Sequence, residues 1–267
     1  MKRAGVTLVE LLVALGVLGI LLVAAGRYFA SSTDLSFAAR ARAEVLSELQ
    51  TAQAIIAARA RQAAFVYPEF AELTLSNSGY TTRNPLTDGY VWKISDGLML
   101  AMILPPENRA QPCGGGNTSG CFMFYAYYPV KRSALMKAAP LLRPVDDPLN
   151  QGSWVLMEYR AAYDSPPGYE RGAPLPPVPT GQQGRMLAEY LSPVGAPGYP
   201  RLFLTEGEHR PDDEGNPALQ PDGNPNTWVF RVHSWLSGER SLGAQTARVP
   251  RQGALEQDIF VRNTLLR

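Results

Sequence analysis

A single carboxylate lies inside an apolar segment near the start of the chain. Glu10 precedes residues 11–26, which contain no charged side chain. A charge at the centre of a bilayer is unfavourable by roughly 2.5–3.5 kcal/mol on insertion scales. An amine about 4 Å away offsets roughly 4 kcal/mol at an effective dielectric of about 20, and a helix N-terminus adds up to about 1 kcal/mol. The chemistry available to Glu10 is therefore ion pairing with a positive group at its own depth.

The two cysteines form the second candidate group. Cys113 and Cys121 enclose a glycine-rich segment, and in an oxidising compartment the default outcome is a disulfide, which contributes roughly 2–3 kcal/mol in the chain-entropy model. A metal site would need two more ligands, and His209 and His233 have no suitable spacing. The glycines do not form a phosphate loop, because no Gly-Lys-Ser/Thr follows them.

An acidic, asparagine-rich stretch is the third candidate. Asp222, Asn224 and Asn226 alternate as at the start of a calcium loop, but the sixth position is Thr227 and the twelfth is His233. The match to an EF-hand therefore fails. The sequence favours a solvated acidic turn and leaves calcium binding as an open alternative.

Basic and aromatic residues cluster in the middle of the chain. They would suit single-stranded DNA if they shared a surface, but tyrosines on a strand more often pack in the core, and the net charge is only +1. Core packing is favoured, and DNA contact stays open. The residues are Tyr125, Tyr127, Tyr128, Lys131, Arg132, Lys137 and Arg143.

No nucleophile arrangement of the Ser/His/Asp or Cys/His kind can be assembled from this sequence. With only two histidines and no cluster of metal ligands, the composition indicates a binding or structural protein rather than an enzyme. The 45% hydrophobic content favours a folded body, and the 24 glycines and 23 prolines predict long loops.

The elements that must position these residues begin with a membrane segment. Lys2 and Arg3 precede the apolar run and place the N-terminus on the cytoplasmic side. As a helix, residues 6–26 would be about 32 Å long, enough for a bilayer core of about 30 Å. Two simpler interpretations are a secretory signal cleaved after Ala25 and a plain single-pass anchor. Neither accounts for Glu10.

Residues 27–65 contain no proline and no glycine and predict an amphipathic helix that continues the membrane segment. One helix over residues 6–64 would be about 88 Å long, with Pro68 shortly beyond its end. A coiled-coil stalk is the alternative. Gly16 and Gly19 are either weak points or close helix contacts. The predicted apolar stripe is Leu35, Ala38, Val45, Leu49, Ala52, Ile56 and Ala60.

The remaining chain predicts a mostly antiparallel sheet, and hence an α+β fold. Ser95-Asp96-Gly97 predicts a hairpin turn between the first two strands, and the loops 140–152, 164–184 and 207–226 are long. The predicted strands are residues 90–94, 98–104, 121–130, 154–163, 186–191, 201–205, 227–236 and 258–263.

Residues 5–13, Gly-Val-Thr-Leu-Val-Glu-Leu-Leu-Val, resemble the class III signal of type IV pilins and type II secretion pseudopilins. The resemblance implies cleavage after Gly5, methylation of the new N-terminal Val6, and a role for Glu10 as the glutamate at the fifth mature position. Its partner would be the N-terminal amine of a neighbouring subunit. The family usually has phenylalanine where this chain has Val6.

The same resemblance implies a domain organisation and a function. Residues 1–5 would be a leader, 6–26 a membrane and filament-core helix, 27–65 its amphipathic continuation and 66–267 a pilin head. The closing Asp-Ile-Phe-Val-Arg-Asn is similar to the last strand of larger minor pilins of the W and J types. The expected function is that of a minor type IV pilin that helps start or cap pilus assembly and supports twitching motility, adhesion or DNA uptake.

The expected partners are other pilins, the prepilin peptidase, the membrane assembly platform and membrane lipid, with no cofactor beyond the open calcium question. The expected location is the cytoplasmic membrane, with the head outside the cytoplasm, and then the pilus on the cell surface. A J-like minor pseudopilin of type II secretion is the first alternative. A soluble binding protein or enzyme secreted by cleavage after Ala25 is the second.

Overall fold

A computed structural model describes residues 8–76, 79–114, 116–167, 175–193, 201–209, 227–243 and 245–261. The first element is one long helix, α1 (Leu8–Gln62), as the absence of proline predicts. It continues without a break through Gly16 and Gly19, where an added Cβ would meet no atom within 4 Å.

Twelve strands follow α1 and form three sheets, in which the pairs among the described residues are antiparallel. The largest sheet has the order β1-β4-β5-β6-β7-β10-β11, the second β12-β9-β8 and the third β2-β3. The strands are β1 (Phe65–Val66), β2 (Glu72–Thr74), β3 (Val91–Lys93), β4 (Leu100–Leu104), β5 (Met123–Lys131), β6 (Trp154–Ala162), β7 (Arg185–Leu191), β8 (Phe203–His209), β9 (Thr227–Leu236), β10 (Gly238–Leu242), β11 (Gln245–Val249) and β12 (Leu255–Phe260).

This arrangement confirms the α+β prediction: a long N-terminal helix lies on a large antiparallel sheet. The second half of α1 packs on strands of both larger sheets. The backbone of β10 approaches α1 so closely that a Cβ on Gly238 would lie 2.6 Å from Val45. The buried residues of α1 are Ala41, Val45, Leu49, Ala52, Gln53, Ile56, Ala57 and Ala60.

The predicted apolar stripe on α1 is too long by two residues. Leu35 is 64% exposed, and Ala38 is only partly buried. The burial of α1 begins at Ala41, which lines a cleft with Arg240, Leu242 and Gln245 of the β10–β11 hairpin.

The central strand β5 is buried on both faces, which explains why its sequence is apolar and aromatic throughout. Side chains alternate across a strand, so the adjacent Tyr127 and Tyr128 serve opposite faces. Tyr127 accepts a hydrogen bond from Arg59 of α1. Tyr128 donates to the backbone oxygen of Thr81 and lies against Trp92, in the chain segment that covers the other face.

The hairpin predicted at Ser95-Asp96-Gly97 is wrong. β3 pairs with β2, whereas β4 pairs with β1 and β5, so the two strands belong to different sheets. Between them lies a 3₁₀ turn (Ile94–Asp96) that ends at Gly97 in the left-handed conformation. The Gly97 carbonyl accepts hydrogen bonds from the N–H groups of Leu202 and Phe203, so this turn holds the start of β8 rather than joining two paired strands.

Other strand boundaries also differ from prediction. The strands expected at 201–205 and 258–263 are β8 and β12, and β8 takes up residues 207–209 of an expected loop. The sequence analysis missed β1, β2, β10 and β11. The predicted loop 140–152 contains two 3₁₀ turns, Pro140–Leu142 and Pro148–Asn150, after a short helix α2 (Arg132–Leu135).

Buried tyrosines hold the described end of the proline-rich loop 164–184 against the head. Tyr67 donates to the backbone oxygen of Pro176, and Tyr159 donates to that of Pro179. The hydroxyls of Tyr67 and Tyr163 are 3.2 Å apart. Burial raises the pKa of Tyr163 to about 12 and raises the pKa of Tyr67 well above its ordinary value.

These tyrosines predict a loss of stability in alkali. The unfolded chain releases the Tyr163 proton at about pH 10, and the folded chain at about pH 12. The folded state therefore holds more protons between these values, and the free energy of unfolding falls as pH rises through this window. Urea unfolding from pH 9 to 12 should show this fall, and Tyr163→Phe should make it shallower. An identical slope in the two proteins would contradict the assignment.

Candidate assembly site

The first half of α1 is an apolar surface that the head does not cover. Residues 8–37 of the helix are exposed. Its most apolar 18-residue window has a mean hydropathy of 2.7, and by length and composition α1 is the one helix among the described residues able to cross a membrane. The large exposed apolar side chains before Arg27 are Leu8, Val9, Leu11, Leu12, Val13, Leu15, Val17, Leu18, Ile20, Leu21, Leu22 and Val23.

Of the residues expected to be processed or to pair, the structure describes Glu10, at the start of this surface. Glu10 is exposed in the first described turn of α1. Gly5 and Val6, the expected cleavage and methylation positions, lie outside the described residues. A carboxylate in the first turn of a helix interacts favourably with the positive end of the helix dipole.

A polar clamp fixes the second half of α1 to the large sheet. Arg59 of α1 forms an ion pair with Glu158 of β6 and donates to the hydroxyl of Tyr127 at 2.6 Å. Its guanidinium lies 4.3 Å from the ring centroid of Tyr125. Burial lowers the pKa of Arg59, but the contacts with Tyr127 and Glu158 outweigh that effect and raise the pKa above its ordinary value. Arg59 is therefore held charged at the helix–sheet contact.

Two further polar contacts fix the helix at lower levels. Gln53 is buried and donates to the Ser234 hydroxyl at 3.2 Å and the Leu255 backbone oxygen at 3.0 Å, on the second sheet. Nearer the membrane half, Glu48 accepts a hydrogen bond from the backbone N–H of Glu189. Burial raises the pKa of Glu48. Because these contacts involve both larger sheets, they set the height and rotation of α1 against the head.

A buried arginine anchors the excursion between β5 and β6. Arg132 is fully buried and pairs with Glu189 at 2.8 Å, and it also donates to the backbone oxygen of Val145. Tyr190 donates to Asp147 at 3.1 Å. These contacts hold the loop that contains the two proline-initiated turns.

The predicted disulfide is present: Cys113 and Cys121 are bonded. The loop that they close is exposed and is ordered by its own polar groups. Asn117 accepts a hydrogen bond from the backbone N–H of Ser119 and donates to the Gln111 side chain. The cysteines therefore stabilise a surface loop and leave no thiol free at these positions.

The structure does not bring the predicted basic and aromatic residues together on a surface. Tyr125, Tyr127 and Tyr128 are buried in the core, and so is Arg132. Because the three tyrosine rings are buried, they cannot stack on bases. Lys137 and Arg143 are exposed on the neighbouring loop. The favoured core interpretation of the tyrosines is confirmed.

The candidate calcium residues Asp222, Asn224 and Asn226 lie outside the described residues, as does residue 216 of the same loop. Within the described ranges, no group of three or more His, Cys, Asp or Glu side chains could hold a metal ion. His233 lies 2.6 Å from Asp258 and 2.9 Å from Glu206, where it links the three strands of the second sheet.

Sequence analysis missed the residues of the polar clamp. In the sequence, Arg59 lies off the predicted apolar stripe, Glu158 lies within a predicted strand, and Tyr127 is one of the tyrosines predicted to pack in the core. Gln53 follows Ala52 of the stripe, and a polar residue next to the buried face of a helix was the available signal. Their partners could not be identified, because they lie 99 and 181 residues away along the chain.

Comparison with known families gives one match at the N-terminus. Residues 1–26 match the family described as the prokaryotic N-terminal methylation motif. Neither the comparison with curated proteins nor that with solved structures found a match. The matched segment contains Glu10 and the exposed apolar start of α1, and it supports a type IV pilin or pseudopilin, which is a structural protein.

The polar clamp predicts a specific loss of stability. Arg59→Met removes the positive partner of the half-buried Glu158 and should lower the free energy of unfolding by roughly 1–3 kcal/mol. Arg61→Met, an exposed arginine in the same turn, should change it by less than about 0.5 kcal/mol. Urea unfolding of the detergent-solubilised full-length protein measures both. Equal losses in the two variants would contradict the role of the clamp.

Proposed function

We propose that this protein is a minor type IV pilin, a structural subunit that enters a pilus and helps to start or cap its assembly. The observation that carries the proposal is the methylation motif at residues 1–26, placed on a helix whose first half is exposed and apolar and whose second half is fixed to a β-rich head. A soluble domain would gain nothing from leaving twelve large apolar side chains in water.

The proposed processing prepares α1 for assembly. The chain would be held in the cytoplasmic membrane by residues 6–26, with the leader 1–5 on the cytoplasmic side and the head, residues 66–267, on the other. A membrane peptidase would cut after Gly5, and the amine of Val6 would be methylated. Cleavage creates a positive N-terminus on the apolar helix, close to the level of Glu10 on a neighbouring subunit.

The proposed mechanism is assembly rather than catalysis. Burying each large apolar side chain of the helix contributes roughly 1.5–3 kcal/mol relative to water, whether the cover is lipid or another helix. Apolar contacts alone do not set the register between neighbouring helices, because these contacts are similar at each step along the helix. The ion pair between Glu10 and a neighbour's N-terminal amine would favour one register, since only that register brings the two opposite charges together in an apolar environment.

The partners that this mechanism requires are other pilins, the prepilin peptidase and a membrane assembly platform. A pilus of this kind would support twitching motility, adhesion or DNA uptake. Residues 258–263, of which the first three end β12, are similar to larger minor pilins of the W and J types, which favours a minor rather than a major subunit. A J-like pseudopilin of type II secretion shares the helix, the motif and the chemistry, and is the alternative within the same class.

The N-terminus of the membrane-associated protein tests the class of protein. We expect mass spectrometry to find a chain that begins at Val6 and carries one methyl group on its amine. A Gly5→Ala variant is the control: the apolar helix is unchanged, but cleavage should fail and the leader should remain. A chain that begins at Gly26 would overturn the proposal and favour a secreted protein.

The mechanism is tested at Glu10. Glu10→Ala should leave cleavage and membrane insertion unchanged but reduce recovery of the protein in sheared pilus filaments by at least about tenfold, the equivalent of roughly 1.4 kcal/mol. Asp34→Ala removes an acid from the same helix beyond the apolar segment and should leave recovery unchanged. Normal incorporation of Glu10→Ala would contradict the ion-pairing mechanism, whatever the N-terminus proves to be.

A further inference from the structure

Three consecutive residues mark the end of the apolar run of α1. Arg27 is the first charged residue after Glu10, and Tyr28 and Phe29 are the first aromatic residues of the helix. Tyr28 is 73% and Phe29 69% exposed. Their rings lie edge to face with centroids 6.2 Å apart, and together with Arg27 they form what we call the collar (residues 27–29).

The described residues of the head do not cover the collar. Every residue of α1 from Leu8 to Phe37 is exposed, and the first buried residue is Ala41. From Phe29 to Ala41 the helix advances about 18 Å, so the collar stands well below the head. Two large aromatic rings in open solvent are unfavourable, and their cover must come from outside the head.

The residues on either side of the collar differ sharply in polarity. The residues before it, 11–26, contain no charged side chain, whereas Ser31, Ser32, Thr33 and Asp34 follow it almost at once. The hydroxyl of Thr33 donates to the backbone oxygen of Phe29, and that of Ser36 to Ser32. The collar therefore lies where the helix surface changes from apolar to water-compatible within one turn.

We propose that the collar binds the headgroup region of the bilayer on the side of the head and fixes the depth of α1 in the membrane. Tyrosine concentrates at this level because its apolar ring faces hydrocarbon while its hydroxyl reaches water, and Phe29 adds apolar area on the hydrocarbon side of Tyr28. The Arg27 guanidinium suits lipid phosphate, with which it forms bidentate hydrogen bonds. This inference rests on the membrane-anchored stage of the proposed function.

The collar sets the depth of Glu10. Arg27 lies seventeen positions after Glu10 in the chain, and an α-helix advances about 26 Å over seventeen positions. With the collar at one boundary of a hydrocarbon core about 30 Å thick, Glu10 lies just inside the opposite boundary and not at the centre. The collar thus limits the cost of holding Glu10 in the membrane and presents it at a constant level to neighbouring subunits.

The same depth leaves a length of bare helix above the membrane. Residues 30–33 would stand in water above the headgroups, whereas Asp34, Phe37 and Arg40 line a cleft that they share with Arg240, Leu242 and Gln245 of the head.

Cysteine accessibility tests the position of the collar. The full-length protein in membranes is labelled from the side of the head with a membrane-impermeant maleimide, in variants Leu15→Cys, Val23→Cys, Ala25→Cys, Ala30→Cys and Ser32→Cys. The native cysteines are bonded to each other and do not react. The thiolate is the reactive form, and it is disfavoured in hydrocarbon, so labelling at Ala30→Cys and Ser32→Cys should exceed that at Val23→Cys and Leu15→Cys by at least about tenfold.

A collar variant tests the cause of that boundary. Tyr28→Ser with Phe29→Ser should raise the labelling of Ala25→Cys severalfold, because water then reaches lower along the helix. Phe37→Ser, which removes an exposed ring of α1 outside the collar, is the matched control and should leave labelling at Ala25→Cys unchanged. Equal labelling of Ala25→Cys with and without the collar would overturn the inference.

The outcomes separate this inference from the proposed function. Uniformly fast labelling from Leu15→Cys to Ser32→Cys would show that the helix is not embedded, which contradicts the membrane stage and the collar together. Protection that extends through Ser32→Cys, or exposure that reaches Val23→Cys, would place the boundary elsewhere and overturn the collar alone. In either of these last two cases, mass spectrometry of the N-terminus and the Glu10→Ala experiment still test the proposed function.

Discussion

One continuous helix must satisfy two different surroundings, and the rest of the structure depends on this constraint. Away from its two ends, the backbone amides of α1 are paired within the helix, so the element is stable in water and in hydrocarbon alike. The side chains then determine whether each half is covered by lipid, by other helices or by the head. Before Arg27 the helix is apolar on nearly all sides and needs lipid or other helices, whereas residues 41–60 carry one buried stripe and a head built to fit it.

The head is organised around that stripe. Small residues such as Ala52 and Ala60 let the helix approach the sheet, and Gly238 removes the side chain that would otherwise collide with Val45. Apolar packing alone would allow the helix to slide, because alanines and leucines repeat along it. The polar contacts of Gln53 and Arg59 each have a single geometry, so they select one register between helix and head.

Periodicity and composition predicted the long helix, the α+β class, the disulfide and the central strands, since each depends on residues close together in the chain. The helix stripe and the apolar run of β5 are examples. The hairpin β10–β11 was missed because its half-exposed residues, such as Arg240 and Ser241, have no clear alternation. The turn at Gly97 was recognised, but its strands were mispaired: a left-handed glycine indicates a reversal, whereas the pairing depends on distant neighbours.

The orientation of α1 on the sheets has a mechanical consequence. A pull along the helix axis, from the membrane half towards the head or the reverse, loads the contacts from Ala41 to Ala60 in shear. All of them then resist together, whereas a sideways pull would peel them apart one after another. With no glycine or proline between Arg27 and the end of the helix, α1 can transmit tension as a stiff rod and share it across the whole contact with the head.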